Sequence, residues 1–173
     1  MNSHSHTYAT IGEALIVGTY SLLIYVCSVA LIWTVGMLDS VPWWLIVFKA
    51  GFLKHFIGYF ALHSSYCTYG AACKALVTRK STAVTIPIYM LIAESIVEGA
   101  AFVVLVYLLQ AGLSKIKINI KGKAQANTNA NVYVDVEVTV SSVAFLVFVS
   151  GFILHTVCEL VGIHKHFCRT RCR

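Results

Sequence analysis

The stretch that decides the fold of this chain is ALIVGTYSLLIYVCSVALIWTVGML, residues 14–38. It runs for 25 positions without a charged side chain. A helix of about 20 apolar residues is long enough to cross the hydrocarbon core of a bilayer. This stretch therefore predicts a first membrane span over about residues 11–38.

The composition of the whole chain agrees with a membrane as its solvent. Of its 173 residues 58% are hydrophobic and 12% are charged, whereas about 25% are charged in an ordinary soluble domain. The net charge is +6, but the basic residues lie at the ends of apolar segments, which suits lipid headgroups. They form no stripe with interleaved aromatic residues, so nucleic acid is not expected as a partner.

Three further apolar segments predict spans over about 42–76, 83–113 and 140–163. The expected fold is a mainly α membrane protein, a bundle of about four transmembrane helices in one integral membrane domain over 1–173. The turn after the second span and the C-terminal tail are both rich in lysine and arginine. The positive-inside rule then predicts that both termini lie in the cytosol.

The segment between the third and fourth spans has a different periodicity. From Lys115 to Val140 the odd positions are mostly polar and the even positions are apolar or small. A period of two is typical of a β-strand, so a β-hairpin is predicted over 115–139. A lone hairpin is marginally stable in water and its edges favour a partner. The expected partner-binding residues are Lys115, Lys117, Lys121, Lys123, Tyr133, Asp135 and Glu137.

Several ionisable residues interrupt the last three spans. Charged groups in hydrocarbon are costly unless they pair, so these residues are expected to face protein. At about 1.5 Å of rise per residue, several reach similar depths near the middle of the bilayer. The predicted intramembrane polar cluster consists of Glu94, Glu98, Lys54, His55, His63, His155 and Glu159, with Lys49 nearby in the second span.

Three interpretations of this cluster remain open at this point. It could fix the packing of the helices through ion pairs, or conduct protons or ions through its carboxylates and imidazoles. It could also hold a haem or a metal, since His55 and His63 are eight residues apart on one helix. The Glu-x-x-His spacing of di-iron bundles is missing from the chain, and no cofactor is expected.

The cysteines suggest no disulfide framework, because none of the six lies in the predicted outer loops. The tail over 164–173 is basic and contains the pattern H-x-H-x-C-x3-C. His164, His166, Cys168 and Cys172 are therefore weak metal candidates, although acylated or unmodified thiols explain the cysteines better. The chain has no nucleophile-elbow, zincin or P-loop motif, so an enzyme is not expected.

Two stretches carry a resemblance to a known class of proteins. HFIGYFALHSSYCTYGAACK over 55–74 and AESIVEGAAF over 93–102 resemble segments of small polytopic membrane proteins of large double-stranded DNA viruses. The resemblance implies a place in the inner membrane of a virion, or a link between that membrane and minor capsid proteins. No binding residue is carried over from it.

Together these observations predict a structural or accessory membrane protein. Its expected partners are the lipid bilayer and other membrane or capsid-type proteins in a larger assembly. The rival predictions are a small ion channel or proton-coupled transporter, and a haem- or metal-binding redox subunit.

Overall fold

The fold of the chain is a bundle of helices, seen here in a computed structural model. The residues that it describes are 3–34, 36, 41–76, 84–114 and 140–172. Within these ranges there are six helices and no strand. The helices are α1 (Ser3–Thr34), α2 (Trp43–Tyr69), α3 (Ala71–Leu76), α4 (Ile88–Ser114), α5 (Val140–Leu160) and α6 (Ile163–Arg171).

Four of the described helices, α1, α2, α4 and α5, are long and apolar enough to cross a membrane. The fold and composition are thus those of a multi-pass membrane protein, which confirms the coarse prediction. The predicted β-hairpin over 115–139 lies outside the described residues. Large apolar side chains point outward on all four long helices, where lipid can contact them; they include Leu31, Phe60, Val97, Val104 and Phe145.

The four long helices run alternately up and down in a ring. α1 packs mainly against α5 and α2 against α4, and contacts of α1 with α2 and of α4 with α5 close the ring. One end, here called the cysteine end, contains α3, α6 and the C-terminal end of α2. The opposite end, here called the loop end, contains Thr34, Trp43, Ser114 and Val140.

Helix boundaries differ from the predicted spans where glycine or proline intervenes. The second span ends at Tyr69 because Gly70 adopts an extended conformation, and α3 then starts in a new direction. Gly162 adopts a left-handed conformation with φ of 81° and separates α5 from α6. The third span was predicted from residue 83, but α4 starts only after Pro87, which disfavours helix in the residue before it.

Glycines let the paired helices approach closely. A Cβ atom at Gly99 in α4 would lie 2.8 Å from the carbonyl oxygen of Phe48 in α2. A Cβ atom at Gly151 in α5 would lie 2.5 Å from Ser21 Oγ and 3.2 Å from Gly18 Cα in α1. Small residues at such positions are the usual basis of helix packing in membranes.

We expect Gly99→Ala to destabilise the bundle by about 1–3 kcal/mol, because the backbone of α2 would have to move. The matched control is Gly112→Ala, since a Cβ atom there meets nothing within 4 Å. That control is expected to be neutral or to stabilise α4 by up to about 1 kcal/mol. Thermal unfolding of the purified proteins in detergent measures both. Equal shifts in the two variants would contradict the close-packing account.

Candidate functional site: the buried polar groups at the cysteine end

The first group of ionisable side chains joins α2, α4 and α6. Lys54 forms an ion pair with Glu98, and its ammonium also lies 5.3 Å from the centre of the Phe102 ring. The two nitrogens of His55 lie 3.1 Å from Glu98 Oε2 and 3.4 Å from Glu94 Oε2. Arg171 donates from Nη2 to Glu94 Oε1 at 2.6 Å. A continuous row of alternating basic and acidic groups results, here called the Glu98 row.

The depth of the Glu98 row follows from the helices that carry it. Glu98 is ten residues from the start of α4, which is about 15 Å at the usual helical rise. Glu94 and Arg171 lie nearer the cysteine end. The row therefore extends from about the middle of the bundle to its surface at that end.

The second group joins α1, α3, α5 and α6 and is here called the Glu13 group. Glu13 Oε1 accepts a hydrogen bond of 2.6 Å from the backbone N–H of Ala71, at the break after α2. Its other oxygen lies 3.5 Å from His155 Nε2, which is an ion-pair distance rather than a good hydrogen bond. The rings of His155 and His164 are 4.4 Å apart between centres, and His164 Nδ1 lies 3.0 Å from Glu159 Oε2.

The predicted polar residues therefore separate into two groups. Lys54, His55, Glu94 and Glu98 are brought together as expected, and His155 and Glu159 belong to the second group. His63 lies beside the backbone of Arg171, and its ring packs 4.7 Å from Tyr59 and 5.4 Å from Phe167, between ring centres. Lys49 lies one and a half turns above Lys54, towards the loop end.

Sequence reasoning missed Glu13, His164 and Arg171 as members of these groups. Glu13 stands just before the charge-free stretch, and nothing in the apolar pattern marks it as a member of a buried polar group. His164 and Arg171 were placed in a basic tail, whereas they lie on α6, which folds back onto the bundle. The signal for α6 was the four-residue spacing of Cys168 and Cys172, which puts both on one face of a helix.

The expectation of no disulfides was wrong. Among the described residues, Cys67 is bonded to Cys172 and Cys73 is bonded to Cys168, with Cα atoms 5.3 and 5.2 Å apart. The physical reason is that α6 returns to the end of α2 and to α3, so the tail cysteines meet those of the second span. Cys27 and Cys158 are free.

The four weak metal candidates of the tail face different neighbours. His164 turns towards Glu159 and His155, His166 is exposed, and Cys168 and Cys172 face the cysteines of α2 and α3. The disulfides instead tie α6 to α2 and α3. Val84 also donates a backbone hydrogen bond to Arg171 at 2.8 Å, so the segment before α4 is held at the same corner.

Burial lowers the pKa of the His164 imidazole below its ordinary value of 6.5, and the nearby His155 lowers it further, while Glu159 and Glu13 act in the opposite direction. A group with a lowered pKa in the folded state takes up its proton more readily when unfolded. The contribution of neutral His164 to stability is therefore complete above the unfolded pKa and is lost as the pH falls below about 6.5.

We accordingly expect the parent protein to lose more thermal stability between about pH 7 and pH 5 than His164→Asn does. Tyr66 also contacts the His164 ring but stays neutral over this range. The control is His166→Asn, because the His166 side chain is exposed. Melting curves in detergent at several pH values test this, and an unchanged pH dependence in His164→Asn would contradict it.

Comparisons of the chain with protein-family models, with curated proteins and with solved structures found no match, so the function of these groups has to be inferred from their own chemistry and geometry.

Proposed function

We propose that the chain is a structural or accessory membrane protein that anchors or assembles partner proteins at a bilayer. The observation that carries this proposal is the mutual pairing of ionisable side chains within the bundle. The Glu98 row pairs Lys54 and Arg171 with Glu98 and Glu94, so these charges stabilise helix packing instead of facing an open path.

The distribution of polar groups supports a structural role over conduction. In the half of the bundle towards the loop end, the described residues include serines, Lys49 and Gln110 but no carboxylate or imidazole. The large buried side chains there are apolar, and Val47, Phe102, Val106 and Val147 are all fully buried. A proton or ion path across the membrane would need polar groups or water in this half as well.

The rival proposal of a small channel or proton-coupled carrier has one observation in its favour. Acidic and basic groups do alternate from Glu98 through His55 and Glu94 to Arg171, between about the middle of the bundle and its cysteine end. A haem-binding redox subunit is less well supported, because both nitrogens of His55 already face carboxylate oxygens. An iron would have to displace one of these contacts.

We propose that partner contacts are made by the segment over 115–139, as a β-hairpin that pairs with a strand of another protein. Its lysines and its Asp135 and Glu137 would give such pairing its specificity. The resemblance to viral membrane proteins would make that partner a minor capsid or other virion protein. The positive-inside rule supports termini in the cytosol and this segment on the opposite side.

Deletion of residues 115–131 is expected to abolish association with the partner and to leave membrane insertion intact. The measurement is copurification of a tagged full-length chain from membranes of its native source, with proteins identified by mass spectrometry. The control replaces the same residues with a glycine-serine linker of equal length, which removes the alternating pattern but keeps the connection. Association that survives in both variants would show that the segment is not the partner site.

A further inference from the structure

Four cysteine sulfurs lie in one small volume at the cysteine end. Cys67 comes from the last turn of α2, Cys73 from α3, and Cys168 and Cys172 from the end of α6. All four are at most 3% exposed. Besides the bonded pairs, Cys73 Sγ lies 3.7 Å from Cys172 Sγ. The sulfurs of Cys73, Cys168 and Cys172 all lie within 4.8 Å of one another.

This arrangement is close to what a tetrahedral metal site requires. Zinc binds thiolates at about 2.3 Å, which places the four sulfurs about 3.8 Å apart. The Cys73–Cys172 distance already has that value, and breaking each disulfide would let its two sulfurs separate towards it. The three segments that supply the cysteines already bring their side chains together in one buried cluster.

The surroundings of the cluster suit the charge of such a site. A zinc ion with four thiolates carries a net charge of about −2. Neither α3 nor α6 contains an acidic residue, and α6 contributes Arg169 and Arg171 in its last turn. His63 is 7% exposed, its Nε2 has no hydrogen-bond partner within the described part of the chain, and a ring nitrogen lies within 4.8 Å of the Cys67 and Cys172 sulfurs.

The distribution of basic residues bears on whether the four cysteines are reduced or oxidised. The basic turn and tail favour the cytosol for the cysteine end, where thiols are kept reduced. Disulfides belong to an oxidising compartment. A buried cluster of four thiols in a reducing compartment is a strong zinc ligand set, in line with the C4 sites of structural zinc proteins.

We propose that Cys67, Cys73, Cys168 and Cys172, once reduced, bind one Zn²⁺ ion as a tetrathiolate site that clamps α6 to α2 and α3. Each disulfide takes two electrons and two protons from a dithiol reductant, which is oxidised to its own disulfide. The four thiols that form then release four protons as they bind the zinc ion. The same corner of the bundle is thus held by disulfides in the oxidised chain and by zinc in the reduced chain.

The test uses the full-length chain purified in detergent and treated with dithiothreitol. The reduced protein is incubated with Zn²⁺, passed through a desalting column and analysed for zinc and for reactive thiols. We expect about one zinc ion per chain and thiol reactivity limited to Cys27 and Cys158 until a chelator is added. The oxidised protein, treated in the same way without reductant, is expected to retain no zinc.

Cysteine variants test whether the bound zinc ion is held by these four residues. Cys73→Ser is expected to weaken zinc retention about tenfold or more. The matched control, Cys27→Ser with Cys158→Ser, leaves the cluster untouched and should retain zinc as the parent protein does. Since Cys73→Ser could also disturb folding, the parent protein is loaded with Co²⁺ as a second measurement. Tetrahedral thiolate coordination then gives intense d–d bands and a sulfur-to-cobalt charge-transfer band.

Two outcomes would overturn the proposal. One is a reduced chain with all its thiols reactive and neither bound zinc nor the cobalt charge-transfer band. The other is a chain whose disulfides resist dithiothreitol in the folded state, because the four thiols would then be unavailable to a metal.

Discussion

Glu98→Gln is expected to destabilise the folded chain by about 3–5 kcal/mol, the usual cost of removing one partner from a buried ion pair. The side chains of Lys54 and Glu98 are only 15% and 17% exposed, and they lie near the middle of the bundle. Without the carboxylate, the largely buried Lys54 ammonium would lose its ion pair and would be left beside the Phe102 ring and the His55 imidazole. Thermal and denaturant unfolding in detergent measure the loss.

The double variant Lys54→Met with Glu98→Gln distinguishes the cost of leaving the Lys54 ammonium unpaired from the cost of losing the Glu98 carboxylate itself. Removing both charges avoids the unpaired ammonium, so the double variant should be more stable than Glu98→Gln alone. The control is Lys165→Met, because Lys165 is exposed on α6. If the single and double variants lose the same stability, the pair does not hold the helices together.

Removal of the two disulfides is expected to have the second largest effect. The bonds close loops with sequence separations of 105 and 95 residues. Replacing Cys67, Cys73, Cys168 and Cys172 by alanine should reduce the stability of the oxidised protein by about 2–4 kcal/mol. The loss should be concentrated at α6, which would detach first.

Limited trypsin digestion reports on this detachment, since Lys165 and Arg169 are exposed on α6. Cleavage at these residues should become faster in the four-cysteine variant, while cleavage elsewhere changes less. Cys27→Ala is the control, because Cys27 is free and exposed to the surroundings of the bundle. If the four-cysteine variant and Cys27→Ala are digested at the same rate, α6 is held by other contacts.

The long helices could be predicted because hydrocarbon imposes a minimum length on each apolar run. The stretch over 14–38 is too long and too free of charge for any other common structure. The ends of the helices were harder to predict. At the break after Gly70, Glu13 of another helix accepts a hydrogen bond from the backbone N–H of Ala71. The sequence around Gly70 does not indicate such a distant contact.

The Glu98 row was partly predictable for a related reason. Glu94 and Glu98 stand four residues apart inside an apolar segment, so both must find basic partners on the same side of α4. The identity of those partners depends on the ring order of the helices, which places α2 beside α4. Arg171 joins them only because Gly162 turns α6 back across the cysteine end. The sequence of a basic tail does not indicate whether the tail folds back onto the bundle.

We propose that the ionisable side chains of the bundle pair with one another and do not form a conducting path. The most direct test of this proposal is proton flux into liposomes that contain the purified chain and a pH-sensitive dye, under an imposed membrane potential. The pairing account predicts flux no greater than that of protein-free liposomes. Flux that depends on the chain and disappears in Glu98→Gln, with the fold preserved, would contradict it.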